Sequence, residues 1–294
     1  MKIRLSYILF FCLLCPASAD QVALEKSEKG YKVLLDGQLF TEYIMDENGT
    51  PILWPLITAG GQRITRDYPM IPDRPDEKKD HPHHRSLWFT HGDVNGVDFW
   101  AVGPNKGKIR HDRFTLAECD GNIATLESEN SWITPKDEIL CTDRRTFRFS
   151  EKDGARIIEF RIELTGVVEE CKFGDTKEGT FGVRVASSMD VDAKKGGKIV
   201  NAQGEKDEAA WGKRSEWVEY SGPIDEKNVS IKILDTSDSF RFPTYWHVRT
   251  YGLFAANPFG EHDYLSKPEK TGDHILKKGE TIHFEYVLEM KNDK

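Results

Sequence analysis

The chain has 294 residues, with 41 Lys+Arg, 49 Asp+Glu and nine His, a net charge of −8, 38% hydrophobic and 31% charged residues. That composition belongs to a soluble globular protein and excludes a disordered or fibrous one. The acidic balance speaks against nucleic acid or an anionic membrane as the main partner, because phosphate binding needs a basic face.

The first 19 residues read as a secretory signal peptide. Lys2 and Arg4 open it, Leu5 to Cys15 is an almost wholly apolar run, and Ala17-Ser18-Ala19 offers the small residues that a signal peptidase needs. The run is too short to span a bilayer, and no later stretch approaches the roughly 18 apolar residues of a spanning helix. Cleavage is expected before Asp20. Leu14 ahead of Cys15 suits a lipoprotein site poorly, so a soluble secreted or periplasmic product without membrane insertion is expected, one domain over 20–294. The cut removes Lys2 and Arg4 and leaves the remainder near −10. It also removes Cys12 and Cys15. Cys119, Cys141 and Cys171 remain, an odd number at wide spacing that fits neither a disulfide framework nor a Cys-x-x-Cys zinc site. Three buried thiols are expected, with one disulfide as the alternative.

Strand signals recur from there on. Tyr31 to Phe40 reads as two strands around an Asp36-Gly37 hairpin turn. Arg144 to Ser150, Arg156 to Leu164 after an Asp153-Gly154 turn, Val229 to Leu234 and Thr281 to Met290 alternate polar with apolar residues. Gly204 to Trp211 could make one short helix at most. Many short alternating strands predict an all-β fold, a large antiparallel β-sandwich or barrel.

Asp80 to Trp100 concentrates the chemistry, with four histidines, two tryptophans and three aspartates. Pro82 biases His81 towards extended geometry. The segment reads as a shaped loop, a strand over 86–90 and a second loop. Three readings stay open. In the first, His81, His83, His84 or His91 works as an acid or base near neutral pH, Trp88 or Trp100 stacks on a sugar ring, and Arg85, Asp93 and Asp98 bind polar groups. In the second, His81, His83, His84, His91 and Asp93 ligate a divalent metal, although their spacing matches no standard motif. In the third, the histidines pin an irregular loop. The first reading needs no cofactor.

Upstream, Arg63, Arg66 and Tyr68 lie close to this cluster, and Arg66 could clamp a carboxylate or pair with an acid. Downstream, Glu178 precedes a strand that carries Arg184, with a surface ion pair as the plain alternative. In Phe242 to Gly260, alternation sets Trp246, Val248 and Thr250 on one face and Tyr245, His247, Arg249 and Tyr251 on the other. The second set suits a binding cleft. No nucleophile elbow, Walker loop, dinucleotide fingerprint or zinc-protease helix appears.

Together these segments resemble a family of exported bacterial proteins labelled PmoA-like or "methane oxygenase PmoA". The resemblance rests on Trp54-Pro-Leu, Thr65 to Pro69, Asp80 to Phe89 with His91 to Gly96, Gly179 to Arg184 and Ala255 to Gly260. The label does not suit the chain, because the membrane subunit of a particulate methane monooxygenase has several spanning helices. The strand pattern and the closing Leu276 to Tyr286 look like the galactose mutarotase-like sandwich. That resemblance implies a sugar in a cleft on one sheet, worked on by a His acid and a Glu base, here His84 or His91 with Glu178. The expected function is carbohydrate-active proton transfer of epimerase, hydrolase or lyase type, on a small-molecule or oligosaccharide ligand. Non-catalytic carbohydrate binding and metal binding are the alternatives.

Overall fold

The computed structural model describes residues 22–47 and 49–293. The leader expected over 1–19 and its cleavage before Asp20 lie outside the described residues. In chain order the strands are β1 (Val22–Lys26), β2 (Gly30–Leu35), β3 (Gln38–Met45), β4 (Pro51–Leu53), β5 (Leu87–His91), β6 (Lys108–Asp120), β7 (Ile123–Ile133), β8 (Ile139–Lys152) and β9 (Ala155–Gly166). They continue with β10 (Glu170–Phe173), β11 (Gly179–Arg184), β12 (Lys198–Asn201), β13 (Trp217–Ile224), β14 (Lys227–Asp235), β15 (Tyr245–Val248), β16 (Leu253–Asn257), β17 (His274–Lys277) and β18 (Thr281–Asn292). The helix allowed over Gly204 to Trp211 is a single 3-10 turn, Asp207–Ala210. Among the described residues, no helix is long and apolar enough to cross a membrane.

The strands form the antiparallel sandwich expected. One sheet runs β1-β2-β3-β4-β5-β11-β16-β15 and the other β12-β13-β14-β18-β9-β8-β7-β6, with β10 and β17 paired separately. Alternation builds the interface. The inward residues of β9, β11 and β18 stack as Phe160 on Phe181 at 4.8 Å and Phe181 on Tyr286 at 4.7 Å. Each such buried aromatic contributes about 1.5–3 kcal/mol. The outward residues of the second sheet are charged and solvated, as in Arg148–Glu159 and Arg144–Glu129. Pairs of this kind are worth about 0–1 kcal/mol each.

The first sheet differs. Every residue of β5, β11 and β16 is buried, so both faces of its centre are covered. The inner face packs on the second sheet. The outer face is covered by loops, and a second cluster of Ile44, Ile52, Trp88, Trp100, Leu253 and Ala255 packs there. Binding and catalytic residues are disproportionately found on loops positioned by a scaffold of this kind.

Cys141 and Cys171 are buried thiols, but Cys119 is exposed near the end of β6. The expectation of three buried thiols is corrected there, because β6 is an edge strand with mostly exposed side chains.

Candidate functional site

The outer face starts from β5. Period two turns Leu87 and Phe89 into the sandwich and Trp88 outwards. Opposite Trp88 on β11 stands Gly182, where a Cβ would lie 2.6 Å from the indole ring. Only glycine lets the tryptophan lie flat on the strand. On Trp88 stacks His84 (5.4 Å, 18° between planes), on His84 stacks His81 (4.8 Å, 10°), and on His81 stacks Tyr251 (5.1 Å, 6°). His83 stands edge-on to His84 at 4.5 Å, and Trp100 meets Trp88 at 5.3 Å.

Two arginines and one aspartate hold this pile. Arg184 of β11 donates to His84 Nδ1 at 3.0 Å and to Asp80 Oδ1 at 2.9 Å, and its guanidinium lies over the Tyr251 ring at 5.1 Å. A guanidinium can only donate, so His84 Nδ1 is the acceptor and its single proton sits on Nε2. Burial, then the charges of His83, Arg184 and His81, push the His84 imidazolium far down. His84 is therefore a fixed neutral N–H donor. Burial tends to raise Asp80, but Arg184 and Arg66 outweigh it and hold the carboxyl at about 2. Asp80 also lies 3.1 Å from His81 Nδ1.

Arg66 is buried and spends its N–H groups on Asp80, on the carbonyls of Tyr68, Lys78 and His81 at 3.0–3.2 Å, and on that of His84 at 3.4 Å. It shapes the histidine loop and has no donor left for a ligand, which corrects its expected role as a clamp. Tyr68 lies beneath the Arg66 guanidinium at 5.1 Å. The loop also departs from the expected geometry at His81. Its φ is +44°, left-handed despite the following proline, and a turn from His84 N–H to His81 O at 3.0 Å closes it. A non-glycine residue costs about 1–3 kcal/mol there, a strain often kept at functional sites.

The opposite rim is the segment ahead of β11. His247 pairs its Nδ1 with the Lys177 carbonyl at 2.6 Å, which fixes the ring as the Nδ1–H form. Burial lowers His247 to about 4. Asn257 holds the Thr176 carbonyl at 2.9 Å. These pins place Glu178 within electrostatic reach of His81, beside the shelf formed by the stacked rings, with its side chain 39% exposed. Burial raises its carboxyl, against the pull of Lys177, and the charges of Asp98 and His81 also reach it. Asp98 accepts from the N–H groups of Trp100 and Ala101 and pairs with Lys106 at 2.8 Å. Burial, aided by His81, lowers His83 to about 4.

Several expected residues lie elsewhere. His91 is on the inner side of β5 against Phe173 and Phe259, with Nε2 at 2.8 Å from the Gly174 carbonyl. Asp93 caps the turn at Gly96. Arg85 is buried on Asp46 at the far side of the loop. Trp246 is core, donating to the Ser215 carbonyl at 2.8 Å. Trp88 and Trp100 are 0% and 2% exposed and form the floor, so neither offers a free stacking face. The half-open rings are instead His81, His83, Tyr251 and Trp211. Sequence reasoning missed Asp80 and Trp211 as site residues. The metal alternative loses its ligand set: His81 and His84 stack face to face, Arg184 occupies His84 Nδ1, and His91 and Asp93 lie apart. No group of three candidate ligands converges among the described residues.

Among solved structures, a galactose mutarotase-like protein from Lactobacillus casei is similar at 9% identity and TM-score 0.48, over 93% of this chain and 100% of that one. A galactose 1-epimerase from Lactobacillus acidophilus is similar at 7% identity and TM-score 0.41, over 94% and 100%. A GH36 alpha-galactosidase from Geobacillus stearothermophilus is similar at 10% identity and TM-score 0.47 over 93% of this chain, which spans only 41% of that longer protein. No curated protein matches. One family model matches residues 30–294, and its description is a family of unknown function, DUF6807. That description carries no activity, so the methane-oxygenase label finds no support in it. Since the match takes in nearly all of the sequence, the chain belongs to the DUF6807 family.

Proposed function

We propose that the protein binds a carbohydrate on the outer face of its first sheet and carries out proton transfer on it there, of epimerase, hydrolase or lyase type. One observation carries this reading: two half-buried imidazoles, His81 and His83, share a polar-aromatic shelf with the burial-raised carboxyl of Glu178. A raised carboxyl keeps its proton closer to neutral pH and suits acid–base work. We assign Glu178 as the general acid or base and His81 as its partner. His84, locked as the Nε2–H form, donates to a ligand oxygen without changing charge. Arg184, Asp80 and Arg66 position these rings. The half-buried rings of Tyr251 and Trp211 border the place of the sugar and present aromatic edges to it. His91, Asp93, Arg85 and Trp246 fall outside this assignment.

A second reading, non-catalytic carbohydrate binding, is favoured by the neutral state of His83 and His84 near pH 7. NMR of hexoses and short oligosaccharides with the purified protein separates the two. Under the catalytic reading, wild type binds saturably and turns the sugar over. Glu178→Gln then still binds and loses about 100-fold or more in rate. Binding without turnover in wild type supports the second reading. Absence of saturable binding, or equal turnover in Glu178→Gln, contradicts the first. From the signal peptide expected over residues 1–19 we also propose that the protein works outside the cytoplasm, secreted or periplasmic. Protein recovered from that compartment should then begin at Asp20.

A further inference from the structure

Arg249 stands out among the charges of this face. Among the described arginines, it is the one whose guanidinium has neither an ion pair nor a hydrogen bond. Its contacts are two ring faces, Trp211 at 5.7 Å and Tyr251 at 5.6 Å. The Trp211 indole N–H is buried and also unpartnered. Both residues line one cavity of about 200 Å³ with Glu208, Val248 and Thr250. The neighbouring cations are already matched: Arg66 and Arg184 share Asp80, Lys106 holds Asp98, and Lys177 lies 3.8 Å from Glu178.

We propose that this cavity binds the carboxylate of an acidic sugar, with Arg249 as its ion-pair partner and Trp211 as a second donor. The inference rests on the carbohydrate reading above and adds the class of sugar. Ring stacking engages the faces of a guanidinium and leaves its planar N–H edge for a carboxylate, which it matches bidentately. Glu208 in the same wall disfavours a dianion such as a phosphate. The cavity is smaller than the roughly 300–1,000 Å³ of a drug-sized ligand site. It therefore takes the charged end of a ligand whose remaining ring lies towards Tyr251 and His81.

Calorimetric titration at low salt tests this with glucuronate and galacturonate, their methyl esters, and glucose and galactose. Wild type is expected to bind a free acid at least about tenfold tighter than its ester. Arg249→Ala should bring that ratio close to one, and Arg249→Lys should keep part of it, because a lysine retains the charge without the planar fork. Melting curves show that each variant is folded. Equal binding of acid and ester by wild type, or an undiminished ratio in Arg249→Ala, overturns the proposal. Binding of neutral sugars without preference for acids removes this inference and leaves the carbohydrate reading intact. Binding of no sugar at all removes both.

Discussion

Asp80→Asn tests the physical basis of the shelf. Asp80 is the counter-ion of two buried guanidiniums, Arg66 at 2.5 Å and Arg184 at 2.9 Å. Arg184's other hydrogen-bonded side-chain partner, His84, is neutral. An amide at position 80 therefore removes the one carboxylate that both guanidiniums share and leaves only the more distant pull of Glu77 on Arg66 and the interaction of Asp190 with Arg184. Removing one partner of a buried pair costs about 3–5 kcal/mol. The depression of Asp80 from 3.8 to about 2 corresponds to about 2.5 kcal/mol before screening. The Asp80 side chain is 38% exposed, so water reduces either figure. A loss of about 2 kcal/mol is expected near pH 6, or a melting temperature lower by roughly 4–8 °C. The sign with pH follows from the depressed folded value. The contribution is fully present above the unfolded value and is lost as pH falls through 3.8 towards 2. Urea denaturation of both proteins at pH 6 and pH 2.5 reads this directly. A gap under about 0.5 kcal/mol at pH 6, or one that does not narrow at pH 2.5, would refute the reasoning.

Other predictions are independent of that one. Burial lowers the His91 imidazole to about 4, so wild-type stability gains a term that is lost as pH falls from 6.5 towards 4, about 3 kcal/mol at most. Buried Asp190 and Asp235, raised to about 6, act in the opposite direction, so the test is the difference between wild type and His91→Gln. That difference should shrink between pH 6.5 and 4 while sugar affinity at pH 7 is unchanged. Gly182→Ala drives a methyl into Trp88 and should cost about 1–3 kcal/mol, together with the near-ultraviolet dichroism of the Trp88–Trp100 floor. A thiol reagent should modify Cys119 at once and Cys141 and Cys171 only at the rate of unfolding. Three equally fast thiols would contradict the burial of the pair.

The sandwich was legible because most strands bury one face and so alternate. Arg156 to Leu164 and Thr281 to Met290 read directly as β9 and β18. Other parts were less visible. In β6 only Ile109 is fully buried, so its long polar run carries little period-two signal. The face of β15 was legible from alternation, with Trp246 and Val248 inward. The roles inside the histidine segment were not, since its residues divide between both sides of one strand. Trp88 turns outward and His91 inward, and that parity depends on where β5 begins. Arg66 and Arg184 looked like ligand groups because a sequence does not show which carbonyls and which carboxylate absorb their donors. Asp80 was overlooked beside four histidines, although its charge is what allows two arginines to be buried under them. Trp211 lay at the end of a segment allowed one short helix at most, far in sequence from the aromatic face that it joins.

The central claim is that ligands bind on the outer face of the first sheet. Hydrogen–deuterium exchange with and without a saturating sugar acid maps that face directly. Protection is expected in segments 78–84, 175–178, 208–211 and 249–252, with the solvated face of β8, β9 and β18 unchanged. Protection confined to that second-sheet face, or none at saturation, would contradict the claim.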